Sequence, residues 1–414
     1  LAHANVKGPF FLLAFPGSAG QSRSALKILI IPDKFKGTLT ARQAGESIAE
    51  GWLAIRTDDE LEILPMSDGG DGFGEIIGGM MGAEPVSVQT IDAAHRPHEA
   101  TFWHDARSDT AIIEAAQVNG LTLLPPGKFH PFDLDTFGLG KVYLTAAELK
   151  ASKIIVGIGG SSTNDGGFGF AKALGYQFLD SRNVPIQKWT ELENLHRIVM
   201  SADLPFVETI VGVDVQNPLL GPHGTSRIYG PQKGLREEDM AKAEACLGRM
   251  AEVVRQMNQR APDKIKWLGQ SGSKPQDFAD NPGAGAAGGL GFGLQAFVGA
   301  KFIPGFDIFA AASKLDEKLH SAGIVISGEG AIDKQSLMGK GVGSLFQRCQ
   351  ATGVRFVGLA GSLSQDISQE FLHGRYMDLF GIVPFLASLE QARAEPAKYL
   401  RLLASDAAKR VGSV

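Results

Sequence analysis

The residues best suited to chemistry in this chain are carboxylates and hydroxyls set among glycines, in four loops: DGGDG at 68–72, GIGGSSTNDGG at 157–167, GAGAAGGLG at 283–291 and GEGAID at 328–333. Glycine lets backbone N–H groups close around an anion, while acids placed among the glycines point to a metal ion or to a proton that must move. In the second loop Gly159, Gly160, Ser161, Ser162, Thr163 and Asn164 offer donors to phosphate oxygens. Asp165 would repel a bare phosphate. Its place there suggests Mg2+ coordination or removal of a proton from an attacking hydroxyl, unless it caps the helix that follows. Asp68 and Asp71 in DGGDG can be aimed at one hydroxyl-rich ligand or one hard cation, or they can flank a plain glycine turn.

Further candidates lie outside these runs. Asp33 follows an apolar run directly, and Lys36 stands just before a helix start, where an ammonium and free N–H groups can grip a phosphate from the same side. Glu329 within the fourth loop and Lys340 beyond it fit nucleotide phosphate or metal contact. The segment VDVQNPLLGPHGTSRIYGPQKG adds Asp214, Asn217, Arg227, Gln232 and Lys233, of which Arg227 suits two-pronged binding of a carboxylate. Gly283, Gly285 and Gly288 match GxGxxG, but no strand pattern precedes them, so close packing of a glycine-faced helix competes there with phosphate binding. No GxxxxGK[ST] occurs, because Gly339-Lys340 is followed by glycine.

The elements needed to hold these loops are legible in the apolar periodicity. KILIIP (27–32), LEILP (61–65), KIIVGIG (153–159), TIVGVDV (209–215), GIVISG (323–328) and VRFVGLAG (354–361) read as short buried strands. Thr40 to Gln43 is a capping-box pattern opening a helix through Ala44, Ile48 and Trp52. Between 86 and 116 three alternating runs read as antiparallel strands, and a helical pattern follows from Thr136 to Lys150. Both ends of the chain therefore predict an open, parallel, doubly wound domain, Rossmann-like or flavodoxin-like. It is expected from residues 26–65 and 284–405, with a mixed α/β domain (66–283) inserted and the ligand in the cleft between the two.

Composition narrows the function classes. With 414 residues, two domains are expected. A net charge of −5 gives no footprint for nucleic acid or an anionic membrane surface. Cys246 and Cys349 stand far apart without a CxxC, and the nine histidines form no HExxH, so neither a disulfide scaffold nor a zinc site is supported and the cytoplasm is the default location. Residues 1–25, with the short apolar run PFFLLAF, are expected to be a disordered N-terminal extension ahead of the fold and not a signal peptide.

Taken in order, PDKFKGTLTA, DGGDG, GIGGSSTNDGG, DVQNPLLGPHG with YGPQKG, PGAGAAGGLG, SGEGAIDKQS with MGK, and LAGSL resemble the bacterial glycerate kinase family of the type that phosphorylates the 2-hydroxyl. The likeness runs from about Lys27 to beyond 385. It implies a two-domain α/β enzyme using ATP and Mg2+ to turn D-glycerate into 2-phosphoglycerate, acting on small molecules as a monomer or homodimer. Departures are small: Lys34 where many relatives have serine, Asp71 where glutamate is common, and Glu114-Ala-Ala-Gln-Val where a methionine and a serine often stand. Residue chemistry then assigns the triphosphate to Lys36 and the loops at 159–164 and 283–289, with Glu329 and Lys340 as further nucleotide contacts. It makes Asp165 and Asp214 the candidates for metal ligand and general base, and gives glycerate Asp33, Asp68, Asp71 and, for its carboxylate, Arg227.

Overall fold

The computed structural model describes residues 25–67, 69–200, 207–260, 277–333, 341–364, 367 and 377–411. Asp68 and Lys340 lie outside them. The chain separates into two compact units, one of residues up to Ser67 and from Phe306 onward, the other from 68 to Gly305.

The first unit opens with β1 (Lys27–Pro32), α1 (Ala41–Leu53) and β2 (Glu60–Ile63). The capping box forms as read: Gln43 N–H donates to Thr40 Oγ1 (3.2 Å) and Thr40 N–H to Gln43 Oε1 (3.0 Å). In the second unit come α2 (Phe73–Met81), β3 (Glu84–Ile91), β4 (Pro97–Asp105), β5 (Thr110–Glu114), α3 (Ala116–Asn119), α4 (Phe137–Glu148), β6 (Lys153–Gly157), α5 (Phe168–Ala173), β7 (Tyr176–Leu179), β8 (Arg197–Met200) and β9 (Glu208–Gly212). It continues with α6 (Thr225–Lys233), α7 (Glu237–Arg260), α8 (Ala286–Val298) and β10 (Lys301–Ile303). The chain returns to the first unit through α9 (Gly305–Ser313), α10 (Leu315–Ser321), β11 (Ile324–Ile332), α11 (Val342–Thr352), β12 (Arg355–Leu363), β13 (Met377–Val383), α12 (Leu389–Ala394) and α13 (Pro396–Val411).

The sheet of the first unit is wholly parallel, in the order β2-β1-β11-β12-β13. Counted within the unit this is 2-1-3-4-5, the flavodoxin-like doubly wound order, and its topological switch point falls between β1 and β11. β1 is paired on both sides, which explains its unbroken apolar run. α1 packs on α13 at Gly51, where any Cβ would collide with the Arg401 carbonyl oxygen.

The second unit holds a mixed sheet ordered β10-β9-β6-β5-β4-β3. β3, β4 and β5 run antiparallel as their alternation predicts, and β5, β6, β9 and β10 are mutually parallel. Trp103 of β4 lies on α2, which can approach only because Gly74 and Gly78 present no side chain to the indole. One boundary differs from expectation. Residues 284–305, expected in the doubly wound domain, belong to the second unit: β10 extends its sheet beside β9, and α8 is buried against the 163–167 loop.

Candidate active site

Three neighbouring parallel strands of the second unit, β5, β6 and β9, end beside one another, and the chemical loops gather at those carboxyl ends. Gly69–Gly72 lies across them. Gly159 N–H donates to Gly69 O at 2.9 Å, and a Cβ at Gly159 would sit 2.7 Å from Gly70 Cα. A Cβ at Gly69 would sit 3.3 Å from Gly212 O, at the end of β9. Gly160 turns outward at φ +75° with Asp71 Oδ1 above it, so close that a side chain there would collide with the carboxylate. Asp71 is exposed, and Asp214, two residues past β9, is half-buried with Oδ1 accepting Gly305 N–H at 3.0 Å.

Beneath this turn lies a lysine. Lys233, the last residue of α6, is buried, and its ammonium donates to Ser161 Oγ at 2.9 Å and to Thr163 O at 2.7 Å. Burial pushes its pKa down to about 7, against a partial upward pull from Asp165. Two of its three N–H donors serve the loop. Sequence reasoning named Lys233 beside Arg227 and gave Arg227 to the substrate carboxylate; the helix turns Lys233, not Arg227, into the loop. Ser226, Gly230 and Lys233, at i, i+4 and i+7, form the buried stripe of α6. Arg227 is 43% exposed at its side chain and holds Glu237 at 3.0 Å, with no hydrogen bond to the loop.

The donors assigned to the triphosphate divide in two. Gly159 and Gly160 keep accessible surface, and Ser161 reaches Lys233. Ser162, Thr163 and Asn164 are fully buried and face inward: Ser162 Oγ donates to Asn119 O (2.8 Å), and Asn164 Nδ2 to Ser226 Oγ (3.0 Å). The 283–289 loop is likewise structural. Gly283, Gly285 and Gly288 are buried, Gly285 N–H donates to Asn217 O at 2.9 Å, and a Cβ at Gly288 would collide with Thr163 O. These glycines let two backbones cross.

Asp165 requires the largest correction. It is 0% exposed, and its carboxylate accepts four donors: Thr136 N–H (3.0 Å), Thr136 Oγ1–H (2.8 Å), Gly169 N–H (2.9 Å) and Gly167 N–H (3.2 Å). Desolvation, reinforced by Asp135, pushes its pKa up to about 6 despite those bonds. A carboxylate so enclosed can neither reach a substrate hydroxyl nor enter a Mg2+ shell. It caps the start of α5 and ties it to α4, the alternative its position after a strand had left open.

In the first unit, Asp33 follows the end of β1, and Glu329 lies within β11 one residue past its last pair with β1, at the switch point. Asp33 Oδ1 accepts Lys34 N–H at 2.7 Å, and its Oδ2 would be 3.9 Å from a Cβ at Gly341. Lys36 is exposed in the turn before α1, its backbone N 3.5 Å from where a Cβ at Gly330 would stand. The structure thus brings Asp33, Lys36 and Glu329 to one end of one sheet.

Comparison with known proteins places the chain in a family. The model of the glycerate kinase family matches residues 28–412. The chain belongs to that family. Among glycerate kinase relatives, the one from Halalkalibacterium halodurans is 36% identical over 370 residues, covering 88% of this chain and 93% of the relative. The glycerate 2-kinase of Escherichia coli K12 is 35% identical, covering 89% and 93%. A crystal structure of glycerate kinase 2 from Salmonella typhimurium LT2 matches with a TM-score of 0.76 at 31% identity, covering 94% of this chain and 99% of that one. Membership of the glycerate kinase family makes the chain an enzyme, a phosphotransferase.

A kinase of this family needs charge near the transferring group. No set of three or more His, Cys, Asp or Glu side chains arranged for a metal occurs among the described residues. Mg2+ in phosphoryl-transfer sites is commonly held by one or two carboxylates together with substrate phosphates; Asp71 stands over Gly160 just past β6, and Asp214 two residues past the end of β9. Among the described residues, no helix is long and apolar enough to cross a membrane.

Proposed function

We propose that this enzyme transfers the γ-phosphoryl group of ATP to the 2-hydroxyl of D-glycerate, giving 2-phosphoglycerate and ADP. The observation that carries the reading is the buried ammonium of Lys233 held by Ser161 and Thr163, directly after the accessible Gly159–Gly160 turn, with the Asp71 carboxylate over that turn. The relatives named glycerate kinase, and the one named glycerate 2-kinase, support the choice of substrate and hydroxyl.

In this reading the Gly160 edge and the remaining N–H of Lys233 receive phosphate oxygens. An arriving phosphate compensates the burial that depresses the Lys233 pKa, so the lysine becomes fully charged when charge is needed. Asp71 orients the acceptor hydroxyl. Asp71 and Asp214 would hold Mg2+, which supplies positive charge to neutralise the phosphate oxygens. The transition state is loose, so positioning and charge neutralisation do most of the catalysis. Asp33, Lys36 and Glu329 act as ligand contacts at the switch point of their own sheet, the position where open α/β sheets bind ligands. Two buried free thiols, Cys246 and Cys349, suit a reducing cytoplasm.

The test is a coupled assay with ATP, Mg2+ and D-glycerate. The expected product feeds enolase directly and ADP release depends on glycerate. A requirement for phosphoglycerate mutase would move the reaction to the 3-hydroxyl, and glycerate-independent ADP release would sink the reading.

A further inference from the structure

Glu114 is the last residue of β5 and is 4% exposed, a carboxylate in a strand whose other residues are all buried. A buried charge needs partners, and Glu114 finds them at the start of α2. Oε1 accepts Gly72 N–H at 2.9 Å and Oε2 accepts Gly74 N–H at 3.1 Å. The first turn of a helix presents unpaired N–H groups and a positive dipole end, so this is where a carboxylate is most easily held in the interior. The N-cap of α2 is Gly72, at φ 87°, with no side chain to do that work itself. Glu114 caps the helix from a different strand.

The consequence falls on Asp71. Glu114 and Gly157 are partners in the β5–β6 ladder, so the two strands end level. From the β5 end, Glu114 holds Gly72 and Gly74. From beyond the β6 end, Gly159 N–H holds Gly69 O. Asp71 stands between these fastenings with its carboxylate over Gly160. The geometry points to Glu114 as a positioning residue that fixes the Asp71 carboxylate against the phosphate turn and so sets the alignment of the acceptor hydroxyl. Glu114 itself touches no substrate. The inference rests on the reading of Asp71 as a substrate contact.

Steady-state kinetics of Asp71→Asn, Glu114→Gln and the double variant test it. Glutamine keeps the side-chain length but can accept only one of the two N–H groups, turning its own NH2 toward the other. Each single variant is expected to lower kcat/KM for glycerate by about 10- to 100-fold, the range a displacement of about 1 Å produces, with KM for ATP within about twofold. The double variant is expected to be no worse than Asp71→Asn alone. If the two effects multiply, Glu114 acts independently of Asp71 and the inference is overturned while the reading of Asp71 survives. If Asp71→Asn has no effect on glycerate kinetics, both fall. Should Glu114→Gln fail to fold, Glu114→Asp, which keeps the charge on a shorter arm, takes its place in the cycle. Amide exchange of the unmodified enzyme gives an independent reading: protected Gly72 and Gly74 amides are expected, and exchange as fast as in an open loop would overturn the clamp.

Discussion

Replacing Asp165 by asparagine separates a structural carboxylate from a catalytic one. In the native loop Oδ2 accepts three donors and Oδ1 one. Asparagine can keep its carbonyl oxygen toward the three, but its NH2 then faces Gly167 N–H, leaving a buried donor unsatisfied at a cost of about 1–3 kcal/mol. The three retained bonds weaken with loss of the charge, by roughly half their strength. Against this, the raised Asp165 pKa shows that the ionised form is itself disfavoured by burial, and removing the charge recovers part of that. The net expectation is a loss of about 1–3 kcal/mol. For a unit of this size that is a fall in Tm of roughly 2–4 °C per kcal/mol. Thermal melting and turnover, both measured on Asp165→Asn well below its Tm, provide the assay. The expected outcome is a lower Tm with kcat within about threefold of the parent. An unchanged Tm with kcat reduced about 100-fold or more, the signature of a lost general base, would refute the reasoning.

Two further outcomes follow from the same geometry. Lys233 has a folded pKa of about 7 against 10.5 in the free side chain, so across that window the unfolded chain holds more protons and this group's contribution to stability rises with pH. Phosphate binding reverses the depression, so ATP binding near pH 7 should take up about half a proton. Calorimetry in buffers of different ionisation enthalpy measures this, and no uptake would contradict Lys233 as the phosphate cation. Arg227→Ala removes an exposed ion pair and is expected to change stability by less than about 1 kcal/mol and to leave KM for glycerate within about twofold. A KM raised tenfold would restore Arg227 as the carboxylate clamp.

How far the sequence could be read depended on whether a feature has one physical cause or several. A run such as KILIIP has one: an apolar segment too short for a helix must be a doubly covered strand, and β1 is that. The glycine motifs were equally visible, yet glycine serves both an anion and a backbone crossing. Gly160 turned out to face outward, whereas Gly288 abuts Thr163. Asp165 was ambiguous for the same reason, since an acid after a strand can face a ligand or cap the next helix, and only burial decides. Lys233 did leave a signal: small Ser226 and Gly230 share its helical stripe, while Arg227 lies off it. Glu114 left none, because a lone acid at the end of an apolar run does not say which distant N–H groups it will meet.

The most direct test of the account is the affinity of the folded Lys233→Met variant for ATP with Mg2+, measured calorimetrically beside the parent enzyme. One charge-assisted hydrogen bond to phosphate is worth about 1.5–3 kcal/mol, so Kd should rise by roughly 10- to 100-fold. A Kd unchanged in a variant that melts as a folded protein would show that the nucleotide's phosphates do not sit on the loop that Lys233 anchors.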